Sequence, residues 1–368
     1  MNRIMRIVFV AGFTAIITAV PLFAGQADIS GDYWYGWLGA NATTGVPGSD
    51  SGTMSASDTT WTIQYTDDGG GSYTETMQID DKRVIRGGWL EVDATQDGQS
   101  GTLTMASTGN VLVDVTRTPD ADGDYGFGLY HKKATGMQSS DIAGHYACFD
   151  HWLDVSSRGT STGFGTASFD SDGSWSYISP GGSGTGSWSI NGNATASLSI
   201  AGEETVELGI GPGGLMTFFD TDPLESDDLG HSILLKKGTG RTASEALGIY
   251  LLQGLYTDNG ENPLTEWGQV SLQDDSYWLM ACQNSDGESY TKSGTWNIEG
   301  DGYLQMTEFT TGSLLYEGYL SLDAGLIVAA RMGDYTGTAM MVQVPEPCTL
   351  CLLALGGIAL LHRKHGIQ

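Results

Sequence analysis

Across residues 28–344 apolar side chains recur at every second position, the period of a strand with one buried face. In residues 165–177, Ala167 and Phe169 share one face while Thr166 and Ser168 take the other. Asp172-Gly173 then makes a turn, and Trp175 and Tyr177 resume the apolar face. Trp188-Ser189-Ile190 alternates in the same way, turns at Asn191-Gly192 and resumes over 194–200. Asn-Gly and Asp-Gly suit hairpins because the favoured tight turn needs positive φ at both central positions. No capped, helix-period run exceeds about ten residues in this region, and only residues 242–246 could form a single turn. The pattern predicts an all-β protein.

The same pattern is written three times. Gly31-Asp32-Tyr33, Gly144-His145-Tyr146 and Gly248-Ile249-Tyr250 open successive units, spaced 113 and then 104 residues apart. A Gly followed by a Trp comes next: Gly52 and Trp61, Gly165 and Trp175, Gly268 and Trp278. The third marker is Gly-x-Trp, at Gly87-Gly88-Trp89, Gly186-Ser187-Trp188 and Gly294-Thr295-Trp296. Late in each unit an apolar strand follows, at Val111-Leu112-Val113, residues 215–219 and Leu326-Ile327-Val328. Two units close on near-identical text, Lys132-Lys133-Ala134-Thr135-Gly136 and Lys236-Lys237-Gly238-Thr239-Gly240.

These markers divide the chain into residues 1–27, three repeats at 28–137, 138–240 and 241–344, and a terminal segment at 345–368. Strands of about five or six residues give each repeat an antiparallel meander of roughly seven or eight. Eight strands can shut into a small barrel per repeat; alternatively, two blades per repeat make one six-bladed propeller. The polar linkers, 134–141 and 238–246, favour separate barrels. As a whole the repeat resembles tandem β-modules of exported bacterial proteins with no assigned activity.

Composition sharpens this picture. The 54 Gly against 9 Pro fit a turn-dense β protein, and 10 Trp, 16 Tyr and 10 Phe supply enough apolar area to oppose disorder. With 16 basic and 44 acidic residues the net charge is −28, which repels phosphates and excludes nucleic acid as a partner.

Both ends carry delivery signals. Arg3 and Arg6 precede an apolar stretch over residues 7–20, Pro21 and the small residues of 24–27, the layout of a secretory signal peptide. At the other end, Pro345-Glu346-Pro347 precedes an apolar run over 348–361 and the basic residues Arg363 and Lys364. At ~1.5 Å per residue the run barely crosses a bilayer, and the basic end would stay cytoplasmic. This tripartite tail resembles the PEP-CTERM sorting signal of exopolysaccharide-producing Gram-negative bacteria. The resemblance implies export, transient membrane anchoring through a C-terminal helix, and processing by an exosortase, with delivery to the cell envelope, surface or extracellular matrix. It covers about the last 25 residues and carries no active site.

Candidate chemistry in the body is sparse. His131 and His231 stand near the ends of units one and two, where repetition accounts for them; His145 and His151, six apart on one strand, lie roughly 20 Å from each other and cannot share a metal. Gly159-Thr160-Ser161-Thr162-Gly163 has the form of a nucleophile elbow but lacks the following helix that motif needs. Asp120, Asp122 and Asp124 alternate as Ca²⁺ donors do, yet Tyr125 and His131 occupy the places where the loop requires Gly and Glu, so adventitious binding is the most they imply. Trp61, Trp89, Trp175, Trp188, Trp278 and Trp296 recur by unit and read as core. Trp34, Trp37, Trp152 and Trp267 do not recur and are the candidates for ligand contact, for example with extracellular polysaccharide. Cys148 and Cys282 read as two buried thiols, and Cys348 and Cys351 belong to the tail. The expectation is an exported surface or matrix protein that binds without catalysis and needs no cofactor. The alternatives are a carrier with one small ligand per barrel, or a polysaccharide hydrolase with an acid pair in a cleft.

Overall fold

The computed structural model describes residues 29–344, apart from 42, 86–87, 118–123, 157–159, 180–181, 193, 201–204, 222–227, 259–261, 324 and 334. The signal segment, the sorting motif Pro345, Glu346 and Pro347, the basic end Arg363 and Lys364, and the loop carboxylates Asp120 and Asp122 lie outside the described residues.

Each repeat closes on itself as an eight-stranded antiparallel barrel in which sequential strands pair and the last returns to the first. The first barrel runs from β1 (Gly31–Asn41) to β8 (Asp124–Lys132), the second from β9 (Gly144–Asp154) to β16 (Asp228–Lys236), the third from β17 (Gly248–Asp258) to β24 (Tyr335–Gln343). Closure excludes the propeller, because no strand of one repeat serves a blade shared with another. Two single-turn helices, α1 (Ser139–Ile142) and α2 (Ala243–Ala246), precede the second and third barrels; in α2 the Glu245 carboxylate accepts the Thr242 N–H at 2.8 Å.

The repeated markers have structural causes. Gly31, Gly144 and Gly248 adopt φ of 134°, 143° and 147°, which glycine tolerates at the barrel entry. The tyrosines two residues on are buried at the closed end, each donating to a carbonyl four residues back: Tyr33 to Ile29, Tyr146 to Ile142 and Tyr250 to Ala246, at 3.0, 2.7 and 3.0 Å. Gly52, Gly165 and Gly268 sit where the third strand presses closest. A Cβ there would lie 1.9, 2.6 and 2.3 Å from the carbonyl oxygens of Gln64, Ile178 and Ala281.

Register corrects two of the sequence equivalences. Trp188 and Trp296 pair with Leu198 and Met306 on the inner face; their counterpart in the first barrel is Ile79, which pairs with Ala94. Gly87-Gly88-Trp89 falls after β4 (Ser72–Val84), and Trp89 packs outside the barrel. His131 and His231 are likewise not equivalent. His131 pairs with Trp34, whereas His231 pairs with His151, a place held by Phe127 and Leu38 in the first barrel.

The barrels are not independent modules. Leu38, Phe127, Phe149, Phe219, Leu255 and Val328 all belong to one core built from outward-facing residues of all three. β1 and β2 (Pro47–Ala56) meet β15 (Leu215–Asp220) and β16; β9 and β10 (Thr160–Phe169) meet β23 (Leu326–Arg331) and β24; β17 and β18 (Asn262–Leu272) meet β7 (Val111–Val115) and β8. In each case the opening strands of one barrel face the closing strands of another, a head-to-tail contact that three copies shut into a ring. Matching hydrogen bonds follow this symmetry: the Ser49 and Thr265 hydroxyls donate to the Asp220 and Thr116 carbonyls, both at 2.6 Å. The late strands read as unbroken apolar runs because their two faces serve two cores, one inside the barrel and one at the ring centre.

Candidate ligand sites at the barrel mouths

The inner faces differ most at one level, near the end opposite the buried tyrosines. Register places Asp50, Gly163 and Glu266 at one equivalent position of the second strand. Thr116, Asp220 and Arg331 share another, at or just past the end of the seventh strand. These two positions decide what each barrel holds.

In the third barrel they fill it. Glu266 is fully buried and paired with Arg331, and it accepts hydrogen bonds from Tyr290 and, at 3.0 Å, from Tyr316. The Arg331 guanidinium lies 4.7 Å from the centre of the Tyr256 ring and 5.0 Å from that of Tyr335. Trp278, Trp296, Met280 and Met306 pack the space beneath.

In the second barrel Gly163 replaces Glu266 and Asp220 replaces Arg331, so the ion pair is missing, and a cavity of about 650 Å³ remains with Asp220 in its lining. Its walls are largely apolar, formed by Phe169, Trp175, Leu198, Leu208, Phe218 and Leu234. Near the mouth, Asp150 accepts from the hydroxyls of Tyr177 and, at 2.7 Å, Ser232. Burial raises the Asp150 carboxyl above its ordinary range, and those two donors pull it back part of the way. Cys148 also lines this cavity, and burial raises its thiol well above the usual value.

The first barrel holds a second cavity, of about 700 Å³, with a different lining. Asp50, Glu75, Asp67 and Asp68 face it together with Tyr35, Tyr65, Tyr73 and Trp37. Tyr65 donates to Glu75 at 2.7 Å. Burial, reinforced by repulsion from Asp68, Asp67 and Glu75, pushes the Asp50 carboxyl up to about 7, although Tyr35 donates to it. Deeper in, burial pushes Asp114 up to about 6, and one of its carboxylate oxygens is buried without a hydrogen-bond partner.

Of the four tryptophans singled out for ligand contact, Trp37 and Trp152 line the first and second cavities. Trp34 serves packing between barrels, and Trp267 lines a third cavity, of about 550 Å³, with Trp89, Arg117 and Tyr290. Trp34 presses on Gly209 of the second barrel, and Trp267 joins Trp89 around the Arg117 guanidinium at 5.5 and 4.9 Å. Asp124 opens β8 and lines the first cavity, and among the described residues no three His, Cys, Asp or Glu converge as a metal ion requires. Both Cys148 and Cys282 are buried free thiols. His131, His151 and His231 are buried in the packing between barrels, and burial lowers their imidazoles to about 3, about 4 and well below the ordinary value. The sequence reading missed Asp50, Tyr35, Tyr65 and Glu75 in the first barrel and Asp150, Tyr177 and Phe218 in the second. Aligning the repeats on Gly52, Gly165 and Gly268, and reading where acidic residues replace one another, would have found Asp50.

No protein-family model matches the chain, and no curated protein matches it. Among solved structures, a protein of unknown function of the DUF3598 family from Nostoc punctiforme aligns over 87% of this chain and 98% of its own, at 9% identity and a TM-score of 0.19. The Helicobacter pylori beta clamp, in complex with 3,4-difluorobenzamide, aligns over 91% and 98% at 8% identity and a TM-score of 0.11. Likenesses this distant bear on neither fold nor function.

Proposed function

We propose that this is an exported surface or matrix protein that binds small ligands inside its barrels and catalyses no reaction. The observation that carries the reading is the contrast within one chain. The third barrel is plugged by its own Glu266, Arg331 and tyrosines, while the second, built on the same register, keeps a cavity of about 650 Å³. That volume lies within the usual range for small-molecule sites, ~300–1,000 Å³. Its chemistry suits a ligand with an apolar body and a hydrogen-bonding end, the body against Phe169, Trp175 and Phe218 and the end at Asp150 and Ser232. The buried histidines lie between barrels, away from both cavities, which supports binding over turnover. The third barrel then acts as a fixed brace for the other two.

Delivery rests on the sequence. The PEP-CTERM-like tail and the signal-like N-terminus support export and exosortase processing, and extracellular polysaccharide remains a candidate surrounding. Two experiments test the reading. Organic extraction of natively purified protein, followed by mass spectrometry, should release a small molecule in near-stoichiometric amount; a clean extract favours a purely structural role. Fractionation of cells expressing the chain with and without residues 345–368 should shift it between envelope and medium; an unchanged distribution removes the sorting argument.

A further inference from the structure

The third barrel shows what the first one lacks. Tyr73 and Tyr290 are equivalent by register, as are Glu75 and Lys292, and Asp50 and Glu266. In the third barrel Tyr290 donates to Glu266, and Arg331 supplies the positive charge, surrounded by tyrosine rings. In the first barrel the carboxylate persists as Asp50 and Tyr73 keeps the place of Tyr290, while Gly39 and Asp124 stand at the places of Tyr256 and Tyr335, and Tyr35 and Tyr65 bring new rings at the places of Leu252 and Cys282. Tyr35 meets Tyr65 edge-on with ring centres 6.1 Å apart, and Tyr65 stacks on Tyr73 at 5.4 Å. The cations do not persist: Thr116 stands at the place of Arg331 and Glu75 at the place of Lys292, and among the described residues no Lys or Arg lines the cavity.

The geometry points to an organic cation as the ligand of the first barrel. We propose that an alkylguanidinium or alkylamine binds between Asp50, Glu75 and the rings of Tyr35, Tyr65 and Tyr73, in the place that Arg331 fills in the third. The case does not depend on the second barrel's ligand, because the cavity, the charge and the internal template are all different. Two further observations agree. Burial, and after it repulsion from Asp68, Asp67 and Glu75, pushes the Asp50 carboxyl up to about 7, and a bound cation relieves the repulsive part. The unpartnered oxygen of Asp114 adds a buried negative charge on the inner face of the same barrel. Aromatic rings with carboxylates bind organic cations through face-on attraction and charge together. A metal ion fits less well, since no three carboxylates converge among the described residues.

The test is calorimetric titration of the full chain with n-butylguanidinium, a mimic of the Arg331 side chain, at pH 8, with butanol and CaCl₂ as comparison titrants. Saturable binding of the guanidinium and not of butanol is expected. Asp50→Asn should weaken it at least tenfold, and lowering the pH from 8 to 6 should weaken the wild type as Asp50 takes up its proton. Thr116→Arg should abolish it by supplying the third barrel's own cation. Should Thr116→Arg misfold, Asp50→Asn decides the matter, since it only removes charge from a crowded acidic pocket. Absence of saturable heat, equal affinity in Asp50→Asn, equal binding of butanol, or binding of Ca²⁺ alone would each overturn the proposal.

Discussion

The plug of the third barrel offers a quantitative test of how the three copies diverged. Replacing Arg331 by Met removes the guanidinium while keeping most of the apolar stem, and leaves Glu266 fully buried with neutral donors, the hydroxyls of Tyr290 and Tyr316 and the thiol of Cys282. Removing one partner of a buried ion pair costs about 3–5 kcal/mol, because the remaining charge is stranded. The lost stacking on Tyr256 and Tyr335 adds to this. For a body of this size roughly 2 °C accompanies each kcal/mol, so the melting temperature should fall by roughly 6–10 °C. Glu266→Gln combined with Arg331→Met leaves no charge stranded. The double variant should recover about 1–3 kcal/mol relative to the sum of the two single effects. Urea unfolding of the four proteins, followed by tryptophan fluorescence, measures the cycle. A single-variant loss below about 1 kcal/mol, or strictly additive effects, would show that the pair does not act as a unit and that the barrel is held closed by something else.

At the ring centre, His151→Leu with His231→Phe copies the Leu38–Phe127 pair of the first barrel. Burial lowers both imidazoles, so the unfolded chain takes up protons below pH ~6.5 that the folded chain refuses; the stability involved is present above that pH and lost as pH falls. At pH 5 this amounts to about 2 kcal/mol per histidine, so the double variant should gain up to about 4 kcal/mol more at pH 5 than at pH 8. Equal gains at both values would contradict it. Asp50 and Asp114 act with the opposite sign, since carboxyls raised to about 7 and about 6 lose stability as pH rises; this contribution cancels in the comparison of variants. Gly294→Ala would place a Cβ 1.7 Å from the Thr307 carbonyl oxygen and 2.7 Å from the Trp278 indole nitrogen, and should cost about 1–3 kcal/mol by thermal melting. A neutral result would mean that the glycine is dispensable there.

Most of the architecture was legible because each copy reports it independently. Gly31, Tyr33, Gly52 and Trp61 and their counterparts mark steric needs of the barrel, so they survive in all three units. Errors arose where a marker is short: Gly87-Gly88-Trp89 resembles Gly186-Ser187-Trp188 in text, but Trp89 lies past the end of β4 and outside the barrel, and His131 and His231 are four positions apart in register. The ring was not legible from the markers alone. Its signal was the double-faced apolar character of Val111-Leu112-Val113 and Leu326-Ile327-Val328, which periodicity cannot separate from any deeply buried strand. The cavities were hidden for a different reason. A pocket is made by what is absent, and Gly163 or Thr116 signals a missing plug only once strand pairing sets them beside Glu266 and Arg331.

Ligand binding in the second barrel is the claim on which the functional account turns, and a cavity-filling substitution addresses it directly. Leu198 lines that cavity, and Leu198→Trp places an indole into it. Titrating the wild type with Nile red, an uncharged apolar dye, should show a saturable fluorescence increase that Leu198→Trp weakens at least tenfold while the fold, followed by circular dichroism, is unchanged. Superimposable titrations of two equally folded proteins would mean that the second barrel takes up no ligand.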